Sequence, residues 1–267
     1  MDASPPFEAK TIVPRPAASV LLVRDGPGGV EVFMATRHQR SSFMPGILVF
    51  PGGAVDADDV HPALFDQHST AASDRLARIA GVRELFEEAG FLLARPRGEA
   101  RLAEAHQVEP MLATTRKGLC DGELAFSGVM DAAGLVPATD HLIPFAHWIT
   151  PQYRTKRFDA RFYIARAPEG QSGAHDDQEL IDSRWITPAE AFAETAAGNI
   201  RIVFATRSNL ALLAKSGTVD EALAAARERR LVTVEPREFD SPEGPALRIP
   251  ADAGYDVTEV LMRNIGE

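Results

Sequence analysis

The stretch Arg83-Glu84-Leu85-Phe86-Glu87-Glu88-Ala89-Gly90-Phe91 constrains this chain more than any other. Apolar residues recur at helical spacing from about Ser73. Gly90 stands where a helix closes in the left-handed conformation, so the pattern predicts a helix over about 73–89. At about 100° per residue, Glu84, Glu87 and Glu88 fall within an arc of about 100° on one face. Ile79, Val82, Leu85, Phe86 and Ala89 spread over the other side. One face is expected to be buried, and the other to present three carboxylates to solvent. Like charges four residues apart weaken a helix by a few tenths of a kcal/mol, and Arg83, facing Glu87 at i+4, offsets part of that.

Such a stripe is often no more than a solvated acidic surface. Its context gives it chemistry. Clustered carboxylate oxygens suit Mg²⁺ or Mn²⁺, ions usually held by carboxylates together with substrate phosphates. Upstream, Ile47-Leu48-Val49-Phe50 reads as a short strand closed by Pro51-Gly52-Gly53. Glycine there lets a backbone carbonyl approach such an ion closely.

The rest of the chain reads as mixed strands and helices. Ala17–Arg24 and Val30–Met34 flank a glycine-rich loop, which is a β-hairpin pattern. Residues 99–135 read as mostly helical. Strands are expected at His141–Ile149, Phe158–Ala167 and Ile181–Ile186, and Pro188 opens a helix. Helical patterns at Ala205–Lys215 and Val219–Arg229 precede an extended, proline-rich tail. Without regular βαβ alternation the class is α+β. Hydrophobic residues at 45% and charged residues at 25% are ordinary for a globular chain able to bury a core. With 28 basic against 38 acidic residues the net charge is −10, which argues against a surface that wraps nucleic acid. No run of about 18 apolar residues points to a membrane span. The N-terminal stretch lacks an apolar leader core, and Cys120 is the single cysteine, so a reducing cytoplasm is the expected setting. The histidines show no zinc-ligand spacing, and no Gly-x-Ser-x-Gly occurs.

Gly53 taken with residues 83–91 resembles the Nudix box, G-x5-E-x7-R-E-U-x-E-E-x-G-U, with U a bulky apolar residue. The second half matches at every fixed position. In the first half, Asp59 stands where the box has Glu, and 23 residues rather than seven separate it from Arg83. The insertion is expected to carry Asp59 away from the helix, leaving it a loop acid. An interrupted box is similar to the branch typified by mammalian Nudix motif 19, which resembles coenzyme A diphosphatases. Met34-Ala35-Thr36-Arg37 and Pro45–Gly53 resemble part of the T-x-R…G-x3-FPGG signature of CoA-cleaving members. The stretches 157–163 and 179–185 add to the likeness, which spans roughly residues 15–215.

The resemblance implies a Nudix α/β/α sandwich with a mixed sheet, as a single domain over residues 1–267. The box would be split between 53–59 and 83–91, with a surface insertion over about 60–80. A C-terminal helical elaboration over about 203–267 would cover the sheet or contribute to a homodimer interface. The resemblance also implies metal-dependent hydrolysis of the pyrophosphate of a nucleoside diphosphate derivative, CoA or acyl-CoA before others. ADP-ribose, a dinucleotide or a nucleotide sugar is the alternative substrate, and a ligand-binding regulator without catalysis is the alternative class. Carried over, Glu84, Glu87 and Glu88 with the Gly53 carbonyl would hold Mg²⁺ or Mn²⁺. Arg83 would orient a box glutamate. Glu84 would be the general base, with Glu179 a second candidate. Arg37 and Arg40 lie near the proposed metal site in sequence, and Arg157 belongs to a second basic group with Arg154 and Lys156. Arginine forks match phosphate oxygens, so Arg37, Arg40 and Arg157 are candidate substrate contacts.

Overall fold

The hairpin expected near the N-terminus is present and long: β1 (Arg15–Gly26) and β2 (Gly29–Arg37) pair antiparallel with Gly26 opposite Gly29. The computed structural model describes residues 12–39, 45–65, 72–173 and 180–266. After β2 come β3 (Leu48–Val49) and β4 (Gly52–Ala54), then helix α1 (Ala72–Ala89) and β5 (Ala94–Pro96). Helices α2 (Ala105–Cys120) and α3 (Phe126–Ala132) precede β6 (Leu135–Pro137). Strands β7 (Ile143–Ile149), β8 (Phe158–Arg166) and β9 (Leu180–Ile186) follow, then α4 (Pro188–Ala196), α5 (Phe204–Leu213) and α6 (Val219–Glu228). The chain ends with β10 (Thr233–Val234), β11 (Arg237–Ser241), β12 (Gly244–Arg248) and β13 (Glu259–Leu261).

Eight strands form the main sheet, in the order β10-β7-β8-β1-β2-β3, with β4 also on β1 and β9 on β2. The β1–β8 and β7–β10 pairs are parallel and the others antiparallel, so the sheet is mixed, as expected. Side chains alternate across β1. Ala18, Val20 and Leu22 pack with Ile79, Val82 and Leu85 of α1. Leu21 and Val23 pack on the opposite face with Leu210 of α5 and Leu223 of α6. These two cores make the α/β/α sandwich. Thr187 and Glu190 cap α4 reciprocally in front of Pro188. No helix among the described residues is long and apolar enough to cross a membrane.

Three expectations are corrected. The glutamate face of α1 is not open to solvent: Glu84 and Glu87 are half-buried and Glu88 is buried. Helix α2 packs over α1, and the Arg116 guanidinium donates to the Glu87 carbonyl at 2.8 Å. Cys120 Sγ reaches the same carbonyl at 3.5 Å, which gives the single cysteine a packing role. The C-terminal elaboration is helical only through α6. Beyond it, β11, β12 and β13 form an antiparallel meander with Ser241 opposite Gly244 at the β11–β12 turn, and it buries Ala246 and Leu247. The insertion also does not simply lie on the surface. Leu64 is fully buried in the α1-side core, and just before the insertion the Asp58 carboxylate accepts from the Ser127 N–H at 2.7 Å and from its hydroxyl at 2.6 Å, in the first turn of α3. The remaining part of the insertion, residues 66–71, lies outside the described residues.

Leu64→Ala should therefore cost about 2–5 kcal/mol in denaturant unfolding, the usual range for emptying a buried leucine site. A loss below about 0.5 kcal/mol would return the insertion to the surface.

Candidate active site

The site is organised by one buried arginine. Arg83 lies on the α1 face turned toward β4, and its guanidinium spends its donors on four groups. Nε and Nη2 form a fork on Asp59, at 3.0 and 3.1 Å. Nη2 also donates to the Ala54 carbonyl at 2.9 Å. Nη1 donates to Glu84 at 2.9 Å and to Glu87 at 3.1 Å. A planar fork suits a carboxylate bidentately, and each such bond is charge-assisted. Burial alone would lower the Arg83 pKa. The hydrogen bonds donated to Asp59 and the charges of Glu84, Asp59 and Glu87 outweigh it and hold the guanidinium above the ordinary arginine range. This cluster is anionic around a single cation.

Asp59 is the residue the sequence reading undervalued. It is fully buried, and the insertion leaves it against the helix instead of drawing it away. A short 3₁₀ turn over Asp58–Val60 holds it, and its Oδ2 also accepts from the Asp56 N–H at 2.7 Å. The available signal was its spacing: it stands six residues after Gly53, at the position of the box glutamate.

Gly53 and Glu84 meet by close approach. A Cβ built on Gly53 would lie 2.2 Å from Glu84 Oε1, so no side chain fits there without moving the carboxylate. Glu88 ties the same turn to the helix, its Oε2 accepting from the Gly52 N–H at 2.7 Å. The structure thus brings together Gly53, Arg83, Glu84, Glu87 and Glu88, with Asp59 behind them. As a donor set for Mg²⁺ or Mn²⁺, the carboxylates and the Gly53 cradle have the right chemistry. Among the described residues, however, no group of three or more His, Cys, Asp or Glu side chains is arranged to hold an ion, since Glu84 and Glu87 turn toward Arg83 and Glu88 toward Gly52.

A cavity of about 1140 Å³ opens beside this cluster, with Gly53, Arg83, Glu84 and Glu87 in its wall. Arg37, at the end of β2, also lines it. Arg157 reaches the cavity wall but is not placed as a phosphate contact. It is buried, and it donates to the Thr150 carbonyl at 3.0 Å, the Ile12 carbonyl at 2.7 Å and Glu235 at 2.6 Å. Those bonds make it a clamp joining the β7–β8 loop to Ile12 and to Glu235. Arg40 and Glu179 lie outside the described residues. His147 bridges strands, contacting Asp159 and Thr233.

Comparison with known proteins identifies the family and the fold. The family model described as "NUDT19 Nudix domain" matches residues 63–206. The acyl-coenzyme A diphosphatase NUDT19 of Gallus gallus is 29% identical, covering 66% of this chain and 62% of its own length. Its namesake in Homo sapiens is 29% identical, covering 61% of this chain and 55% of its own length. The chain thus spans only 55–62% of the length of these curated relatives. The crystal structure of a NUDIX hydrolase from Alicyclobacillus acidocaldarius has the same fold, with a TM-score of 0.67 at 24% identity, over 81% of this chain and 97% of that one.

Removing Asp59 would strand a buried charge that Glu84 and Glu87 neutralise only in part. Asp59→Ala should lower stability by about 3 kcal/mol, which equilibrium unfolding will measure. A change within about 0.5 kcal/mol would mean that the fork on Arg83 is not made in solution.

Proposed function

Because the chain belongs to the Nudix family, in the branch whose model is described as the NUDT19 Nudix domain, we propose that it is a metal-dependent pyrophosphohydrolase. Its proposed substrates are CoA or acyl-CoA, cut at the diphosphate to give 3′,5′-ADP and (acyl-)4′-phosphopantetheine. The observation that carries this reading is the Arg83 cluster, which gathers Asp59, Glu84 and Glu87 beside Gly53 in the wall of a cavity large enough for a dinucleotide-sized ligand. That these relatives are acyl-coenzyme A diphosphatases supports the substrate class.

In this reading Glu84, Glu87, Glu88 and the Gly53 carbonyl would hold Mg²⁺ or Mn²⁺. A bound divalent ion supplies Lewis-acid neutralisation of the phosphate oxygens and lowers the pKa of attached water. The protein's own part is positioning. Glu84, pressed against Gly53, accepts the proton of the water that attacks phosphorus. Arg83 fixes the orientation of Glu84 and Glu87, and Glu88 fixes the Gly52–Gly53 turn. Such prepaid orientation is a large share of what a phosphoryl-transfer site contributes. Arg37, in the same cavity, is the proposed contact for a substrate phosphate.

The test is a panel of CoA, acyl-CoA, ADP-ribose, a dinucleoside polyphosphate and a nucleotide sugar, assayed with Mg²⁺ and Mn²⁺ and read by product mass. CoA compounds should be cut best. Glu84→Gln should lower kcat by about 10²–10⁴-fold, the span of a lost general base, with the thermal midpoint kept. Preferred cleavage of ADP-ribose would replace the substrate assignment. No cleavage of any diphosphate would favour a ligand-binding regulator.

A further inference from the structure

The cavity is lined from both layers of the sandwich. Opposite the α1 layer, its wall includes the first turn of α5, Phe204, Ala205 and Thr206, set among Trp148, Phe162 and Leu247. Helix α5 has no side-chain cap, because Val203 stands at its N-cap position. The Phe204 N–H donates to the Ile265 carbonyl at 3.0 Å. The next two N–H groups, of Ala205 and Thr206, have no acceptor among the described residues. A helix leaves such groups to be met from outside.

A separate observation concerns a side chain. Thr206 is only 5% exposed and faces the same cavity, and its hydroxyl has no hydrogen-bond partner among the described residues. The Tyr153 hydroxyl, also in this cavity wall, is buried with no hydrogen-bond partner among the described residues. Several neutral donors therefore line this cavity, and around the first turn of α5 its wall also carries Trp148, Phe162 and Leu247. The surroundings select the acceptor. A phosphate would lose its hydration against Trp148, Phe162 and Leu247, whereas a neutral carbonyl oxygen loses far less. Polar groups placed sparsely in an apolar wall are the means by which pockets orient flexible ligands.

We infer that the first turn of α5, with Thr206, is the subsite for the uncharged, amide-bearing arm of the substrate, an arm carbonyl accepting from these donors. The inference rests on the proposed cleavage of CoA compounds, whose leaving half carries amides. It makes Thr206 a specificity residue at the far side of the cavity from the reacting phosphates.

The test uses the full chain with CoA as substrate and its two product halves as inhibitors, in wild type, Thr206→Val, Thr206→Ala and Thr206→Ser. Thr206→Val and Thr206→Ala should weaken inhibition by 4′-phosphopantetheine about tenfold relative to inhibition by 3′,5′-ADP, the effect of one lost buried hydrogen bond. Thr206→Ser, which keeps the hydroxyl, should restore it. Thermal midpoints confirm that the variants fold. A merely structural role would weaken both inhibitors alike, and that result, or inhibition unchanged in every variant, overturns the subsite while leaving CoA cleavage intact. A wild-type chain that leaves CoA uncut overturns the CoA reading and the subsite together.

Discussion

The contact between Arg83 and Asp59 holds the rest of the site in place. It joins a residue of α1 to a turn separated from the helix by residues 61–71, and it does so in the interior. Two facts make it decisive. The guanidinium is buried, so its charge must be met locally. The fork on Asp59 meets it from one side and leaves Nη1 to Glu84 and Glu87 on the other. Remove the fork and the two glutamates lose a fixed neighbour. Ala54, just past Gly53, accepts from the same guanidinium, so the glycine turn is registered to the helix by the same group.

The second tie is Glu88, which reaches the Gly52 N–H from the adjacent turn of α1. Together the two ties bring Gly53 so close to Glu84 that a side chain at position 53 would displace the Glu84 carboxylate. Close approach of this kind is specified by the absence of a side chain, and neither propensity nor periodicity registers it. The chemistry of the site, hard oxygen donors around one cation beside a large cavity, follows from these contacts and from the way α2 seals the outer side of α1.

Much of this was legible in the sequence, for reasons that particular residues make plain. The span of α1 followed from its apolar spacing and from Gly90, which does adopt the left-handed conformation, with φ of 73°. The hairpin followed from alternation around a glycine-rich loop, and the start of α4 from Thr187-Pro188. What was not legible depended on partners distant in sequence. A polar stripe on a helix reads as solvent-facing, because nothing local announces that α2 will cover it. The fork on Asp59 crosses the insertion, so spacing alone placed that residue in a loop. Arg157 reads as a loop cation until Ile12, Thr150 and Glu235 are seen to absorb its donors. The meander of β11, β12 and β13 is built from short stretches between prolines, whose pairing is set by tertiary contact rather than by a strong local pattern.

The central claim is that the Arg83 cluster organises carboxylates able to take a divalent ion. The most direct measurement is a titration of Mn²⁺ into the full chain, followed by electron paramagnetic resonance, in wild type and in Glu87→Gln. Stoichiometric binding weakened at least tenfold by Glu87→Gln is the predicted result. Absence of Mn²⁺ binding in wild type, or binding that the substitution leaves unchanged, would contradict the account.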